Sequence, residues 1–266
     1  MNERTDFGPS EEFDVVRLKN GAIEKSPAPV ATEVPFTILI NDREIATLLC
    51  TPCDLRELTC GFLYTSGFIK TPGDIHAISL DTTKWIAAVE AENVFDPSLL
   101  GKRLYTSGCG KGVMYANIHE VAYRSPVTGS LTITGAQIAA MAQWLQRCSD
   151  LYKSTGGVHT ATLSVRGETP AFCLDDIGRH NAVDKVIGKA LMDTIDLSET
   201  ILFCSGRISS EILQKARTCG IPIIISRGAP THQAVLRARD MGITLIGFAR
   251  GNSFTIYSHE KRVIFK

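Results

Sequence analysis

The stretch "LYTSGCGKG", residues 104–112, sets one cysteine, Cys109, among Gly108, Gly110 and Gly112, with Thr106 and Ser107 ahead of it and Lys111 behind. A cysteine packed in a core has apolar neighbours at strand or helix spacing, and this one has none. A thiol on a polar, lysine-bearing loop can ionise and travel toward a partner, as a nucleophile or a sulfur carrier must. The other reading is a free surface thiol in a glycine-rich turn, and the segment alone does not choose between them.

A second kind of chemistry is spelled out further along. "DIGRHN" carries Arg179, "SGRISS" carries Gly206 and Arg207, "SRGAPT" carries Ser226, Arg227 and Gly228, and "ARGNS" carries Arg250, so each arginine adjoins a glycine. Each of these follows a segment read below as a strand, and three of them also open a helix, where free N–H groups favour negative charge. Arginine's planar fork takes phosphate oxygens in pairs, while glycine lets the backbone approach. One such loop is ordinary turn composition; four in succession point to a cradle for a phosphorylated ligand.

Arg179 sits in the densest polar cluster, "DDIGRHNAVDK", where Asp175, Asp176, His180, Asn181, Asp184 and Lys185 exceed what a helix cap needs. His159, after a Gly-Gly turn, is placed to face the same cleft or to be hydrogen-bonded within the structure. The zinc deaminase pattern is missing, since His119-Glu120 and His259-Glu260 have the wrong spacing and no suitable cysteine pair follows. Cys50 and Cys53 form a C-x-x-C between a strand and a helix start, as in a thioredoxin-like redox centre, although Pro52 is also explained by helix initiation. Cys60, Cys148, Cys173, Cys204 and Cys219 lie in apolar segments and read as structural.

These groups need a scaffold, and the 266 residues with 44% hydrophobic composition are enough for a large core. The 28 Lys plus Arg balance 28 Asp plus Glu, so no global field points to nucleic acid or an anionic membrane as partner. The amino terminus lacks a secretory pattern and no apolar run approaches the roughly 20 residues of a membrane span, which predicts a cytoplasmic chain with reduced cysteines. Residues 1–30, polar and proline-bearing, read as a flexible tail. A hairpin is expected around Asn41-Asp42, then a helix capped by Thr51, weak strands over 75–92, and a helix from Thr134 with Gln137 completing a capping box. From Gly157 strands and helices alternate: "HTATLSV" and "AFCL" as a hairpin, then "TILFC", "IPIIIS" and "ITLIGF" as strands with helices between them. The expected fold class is α/β, with an N-terminal α+β subdomain over 31–130 carrying the Cys109 loop and a second subdomain over 131–266.

The segments "DLRELTCGFLYTSGFI", "TGGVHTATL", "DIGRHNAVDKVIGKAL", "SGRISSEILQKA", "GIPIIISRGAPTHQAV" and "GITLIGFARGNSFTIYS" resemble, in order and from about Glu33 onward, the FdhD/NarQ family of formate dehydrogenase accessory proteins. The resemblance implies a cytoplasmic, homodimeric sulfurtransferase. It would take sulfur from a cysteine desulfurase as a cysteine persulfide and deliver it to the molybdenum cofactor, bis-molybdopterin guanine dinucleotide, for the formate dehydrogenase apoenzyme. It implies a cytidine deaminase-like three-layer domain without the zinc site. Residue by residue, it makes Cys109 the persulfide carrier and Phe248, Ala249, Arg250, Gly251, Asn252 and Ser253 the cofactor-binding segment. The arginine loops, with Gly206, Arg207, Ser226, Arg227 and Gly228, then acquire a ligand. One departure is plain: Gly112 stands where many members have a second loop cysteine, so a relay through two loop thiols needs Cys50, Cys53 or a substrate thiol. Two other functions stay open: a cofactor-binding chaperone without sulfur chemistry, and a thiol redox protein using Cys50 and Cys53.

Overall fold

The computed structural model describes residues 7–94, 103–105, 113–115 and 126–265. Its centre is a six-stranded sheet in the order β11-β10-β12-β13-β14-β15. The strands are β10 (His159–Val165), β11 (Leu174–Asp176), β12 (Thr200–Cys204), β13 (Ile223–Ser226), β14 (Thr244–Arg250) and β15 (Ser253–Ser258). Because β10 runs antiparallel to both β11 and β12, while β12, β13 and β14 are mutually parallel, β11 to β14 all point the same way. The ends of these four strands therefore lie along one edge of the sheet.

The apolar runs in β12 and β13 bury both faces, and the alternation of side chains decides which layer each residue joins. Leu202, Cys204, Ile224 and Leu245 pack with α4 (Arg179–Met192), α5 (Ser210–Thr218) and α6 (His232–Asp240). Ile201, Phe203, Ile223, Ile225 and Ile246 face α2 (Gly135–Cys148), beside the short parallel pair β9 (Ile133–Thr134) and β16 (Val263–Ile264). The result is three layers, helix, sheet, helix. The Thr134 capping box forms as expected: the Gln137 N–H donates to Thr134 Oγ1 at 3.2 Å and the Thr134 N–H donates to Gln137 Oε1 at 2.9 Å.

The amino-terminal half supplies a four-stranded sheet, β4-β3-β6-β5. Its members are β3 (Val34–Ile40), β4 (Arg43–Cys50), β5 (Ile75–Asp81) and β6 (Ile86–Ala91), and the hairpin at Asn41-Asp42 uses positive φ at both residues. Helix α1 (Leu55–Thr65) covers this sheet with Leu55, Leu58, Phe62 and Leu63 and lays its other side on α4. The crossing is closest where Gly61 and Gly188 meet: a Cβ on Gly61 would overlap the Asp184 carbonyl, and one on Gly188 would overlap that of Glu57. A further helix, α3 (Asp150–Thr155), follows α2 directly, and two short strands, β7 (Arg103–Tyr105) and β8 (Val113–Tyr115), pair antiparallel.

Two expectations are corrected. Where the sequence reading places a flexible tail over 1–30, the structure has an antiparallel ribbon of two ten-residue strands, β1 (Ser10–Lys19) and β2 (Ala22–Ala31). Charges and prolines hid it, because an exposed ribbon needs no apolar face toward a core; Leu18 and Ile23 near its tip are 76% and 72% exposed. Thr51 does not cap α1. That position belongs to Asp54 in the left-handed region, and the Thr51 hydroxyl instead accepts the Ile177 N–H at 3.1 Å.

Candidate functional site

The edge where β11 to β14 end is held by a buried post. Lys185, on the second turn of α4, places its ammonium 2.8 Å from the Asp176 carboxylate, with both side chains fully excluded from solvent. The same ammonium donates to the carbonyls of Asp175 at 2.9 Å and Thr51 at 3.2 Å. Asp176 also accepts the N–H groups of Gly178 at 2.7 Å and Thr51 at 3.1 Å, and the Asn181 amide at 2.9 Å. A buried ion pair is tolerable only when its remaining hydrogen-bonding capacity is filled in this way. The post fixes the chain at Gly178-Arg179 and fastens it to the segment between β4 and α1.

From there the arginine loops touch in succession. Gly206 passes so close to Arg179 that a Cβ would stand 2.9 Å from the Arg179 Cβ and 3.3 Å from His159 Nδ1. Ser226 donates its hydroxyl hydrogen to the Gly206 carbonyl and accepts the Gly228 N–H at 2.9 Å. The Gly228 carbonyl takes the Phe248 N–H at 3.0 Å, and Arg250 Nε donates to the Arg227 carbonyl at 3.3 Å. Phe248 adopts φ 54°, which shifts the β14/β15 register and leaves its ring 44% exposed, while Ala249 behind it is buried. Gly251 and Asn252 form the tight turn between Arg250 and Ser253. The structure thus brings Gly206, Arg207, Ser226, Arg227, Gly228 and the Phe248 to Ser253 tip to one edge, beside Arg179. Cys109 and Gly112 fall in residues 106–112, outside the described residues, between β7 and β8.

Two histidines join this edge. His159 is held below the usual imidazole range by burial and by the neighbouring Arg179, so it is neutral near pH 7; its Nδ1 lies 3.4 Å from Ser205 Oγ. His180, in the first turn of α4, sits 2.9 Å from Glu211 and 3.1 Å from the Ser209 hydroxyl, both at the start of α5. Sequence reasoning named both histidines and read Thr51 as a helix cap, but missed Glu211, which carries no motif of its own. Among the described residues no group of three or more His, Cys, Asp or Glu could hold a metal ion.

The C-x-x-C pair occupies a different setting from a redox centre. Cys50 is fully buried at the end of β4, with its thiol pushed far up by burial. Cys53 lies 3.7 Å from the Lys185 ammonium, yet burial outweighs that charge and raises its pKa to about 12. Against an ordinary cysteine, Cys53 should hold on the order of a thousandfold less thiolate at pH 7. Iodoacetamide labelling of the native protein should therefore be slow at Cys53 and rise steadily with pH; rapid labelling at pH 7 would restore the redox reading.

The sequence profile of the FdhD/NarQ family matches residues 31–264. The chain belongs to this family. Among its FdhD/NarQ relatives is the "Sulfur carrier protein FdhD" of Staphylococcus aureus strain MRSA252, 38% identical over 252 residues, covering 94% of this chain and 95% of the relative. The protein of the same name from strain JH9 matches to the same extent. A crystal structure described as that of a formate dehydrogenase accessory protein from Desulfotalea psychrophila superposes with a TM-score of 0.79 at 25% identity, covering 96% of this chain and 99% of that one. No helix among the described residues is long and apolar enough to cross a membrane.

Proposed function

We propose that this chain is a sulfur carrier serving formate dehydrogenase: Cys109 holds the sulfur as a persulfide, and the arginine edge holds the nucleotide end of the acceptor, the guanine dinucleotide form of the molybdenum cofactor. The convergence of Arg179, Arg207, Arg227 and Arg250 on one sheet edge carries this reading, because it is a polydentate site for a pyrophosphate rather than for a neutral metabolite. The names of the Staphylococcus aureus relatives agree with it. In loading, the Cys109 thiolate attacks the outer sulfur of a cysteine desulfurase persulfide and the desulfurase thiolate leaves. In delivery, an electron pair of the acceptor attacks the outer sulfur, the S–S bond breaks and the Cys109 thiolate leaves, so the acceptor supplies the two electrons. The order of layers, helix, sheet, helix, is what supports a cytidine deaminase-like description. The reading extends to a cytoplasmic homodimer, as the family resemblance implies.

Guanosine diphosphate, which offers base, ribose and pyrophosphate without the pterin, should bind the wild-type protein. Arg207→Ala or Arg227→Ala should each weaken it by about 1.5–3 kcal/mol, the worth of one charge-assisted contact. Cys109→Ala should leave that affinity unchanged in calorimetry while abolishing formate dehydrogenase maturation in a complementation assay. Maturation that survives Cys109→Ala would favour a chaperone without sulfur chemistry. Arginine changes without effect on the nucleotide would place it elsewhere.

A further inference from the structure

Two thiols that the sulfur-carrier reading leaves unused stand side by side. Cys148 and Cys173 are free and half-buried, and their side chains interact directly. The geometry around them explains why. Cys148 is the last residue of α2, and the next residue, Ser149, donates its hydroxyl hydrogen to Asp175 Oδ2 at 2.7 Å. Cys173 enters β11 two residues before Asp175, and in an extended chain residues i and i+2 share a face. The bond that ties Ser149 to Asp175 therefore also holds Cys148 against Cys173. Asp175 is in turn bound by the Thr160 hydroxyl at 2.6 Å and by Lys185 through its carbonyl at 2.9 Å, and it feeds straight into the Arg179 loop.

We propose that Cys148 and Cys173 are a redox-active dithiol that closes to a disulfide by exchange with a low-molecular-weight disulfide, stapling the end of α2 to the strand that leads into the Arg179 loop. The Cys173 thiol is pushed far up, first by its hydrogen bond to Cys148 and then by burial, so it is the poorer initial nucleophile. The Cys148 thiolate attacks oxidised glutathione and one glutathione thiolate leaves. Cys173, losing its proton as it attacks, then displaces the second. Two protein thiols are oxidised and one glutathione disulfide is reduced to two thiols. Among the described residues the other cysteines are less suited: Cys50, Cys60, Cys204 and Cys219 are buried, and Cys53 lies against the Lys185 ammonium.

The test is incubation of the full-length native protein with oxidised glutathione, alkylation, trypsin digestion and mass analysis. A dithiothreitol-sensitive peptide should appear that joins residues 148–153 to residues 167–179 and is two hydrogens lighter than their sum. Alkylation of Cys148 should fall by about tenfold or more at full oxidation. In Cys148→Ser, Cys173 should form no intramolecular bridge. The proposal is overturned if both cysteines of the oxidised wild type remain fully alkylatable, if a bridge joins Cys50 to Cys53 while they do, or if Cys173 bridges equally well in Cys148→Ser.

Discussion

Asp176→Ala should lower folding stability by about 3–5 kcal/mol, because it strands a buried ammonium and three further donors that the carboxylate satisfies. Urea unfolding measures it directly. The double change Asp176→Leu with Lys185→Met should recover much of the loss, since a well-packed apolar pair often matches a buried ion pair. A double variant as unstable as the single would show that shape, not charge, governs the position. The same pair sets a pH dependence. Burial pushes the Lys185 ammonium toward neutrality, but Asp176 and Cys53 outweigh it, so its pKa lies above the ordinary lysine value. A raised pKa stabilises the fold fully below the unfolded lysine value, about 10.4, and that stability is lost as pH rises through the folded value. The wild type should thus lose stability at strongly alkaline pH more steeply than the double variant.

Gly188→Ala is expected to be nearly as damaging, at about 3 kcal/mol, the upper end for overpacking, because the new methyl would collide with backbone rather than with a movable side chain. For a chain of this size that corresponds to a melting point lower by roughly 5–10 °C. Gly61→Ala should cost a similar amount, and the two together less than the sum, since either one already forces α1 and α4 apart. A Gly188→Ala protein melting with the wild type would mean that the helices have room to separate without loss.

Much of this was legible in the residues, for identifiable reasons. The arginine loops could be placed on one edge because "TILFC", "IPIIIS" and "ITLIGF" are apolar throughout, the mark of strands covered on both faces, and parallel strands end together. The Thr134 cap followed from local chemistry, and Gly220 and Gly242, just past the ends of α5 and α6, have the positive φ that helix stops use. What escaped was set by partners distant in sequence. Thr51 looks like a cap locally but is recruited by Ile177 and Asp176. Cys148 and Cys173 each look like core residues, and only the fold makes them a pair. The β1–β2 ribbon has no core-facing periodicity to read.

The tie between Thr51 and Asp176 spans 125 residues of sequence, and Gly61 meets Gly188 over a similar stretch. Contacts this remote close late, because the loop entropy must be overcome before they contribute. During synthesis, α1 and its sheet emerge long before α4 exists, leaving the apolar flank of α1 and the Gly61 notch uncovered. Docking of α1 onto α4 therefore waits for residue 188, and a ribosome pausing before it would prolong the interval in which a chaperone can engage the nascent chain.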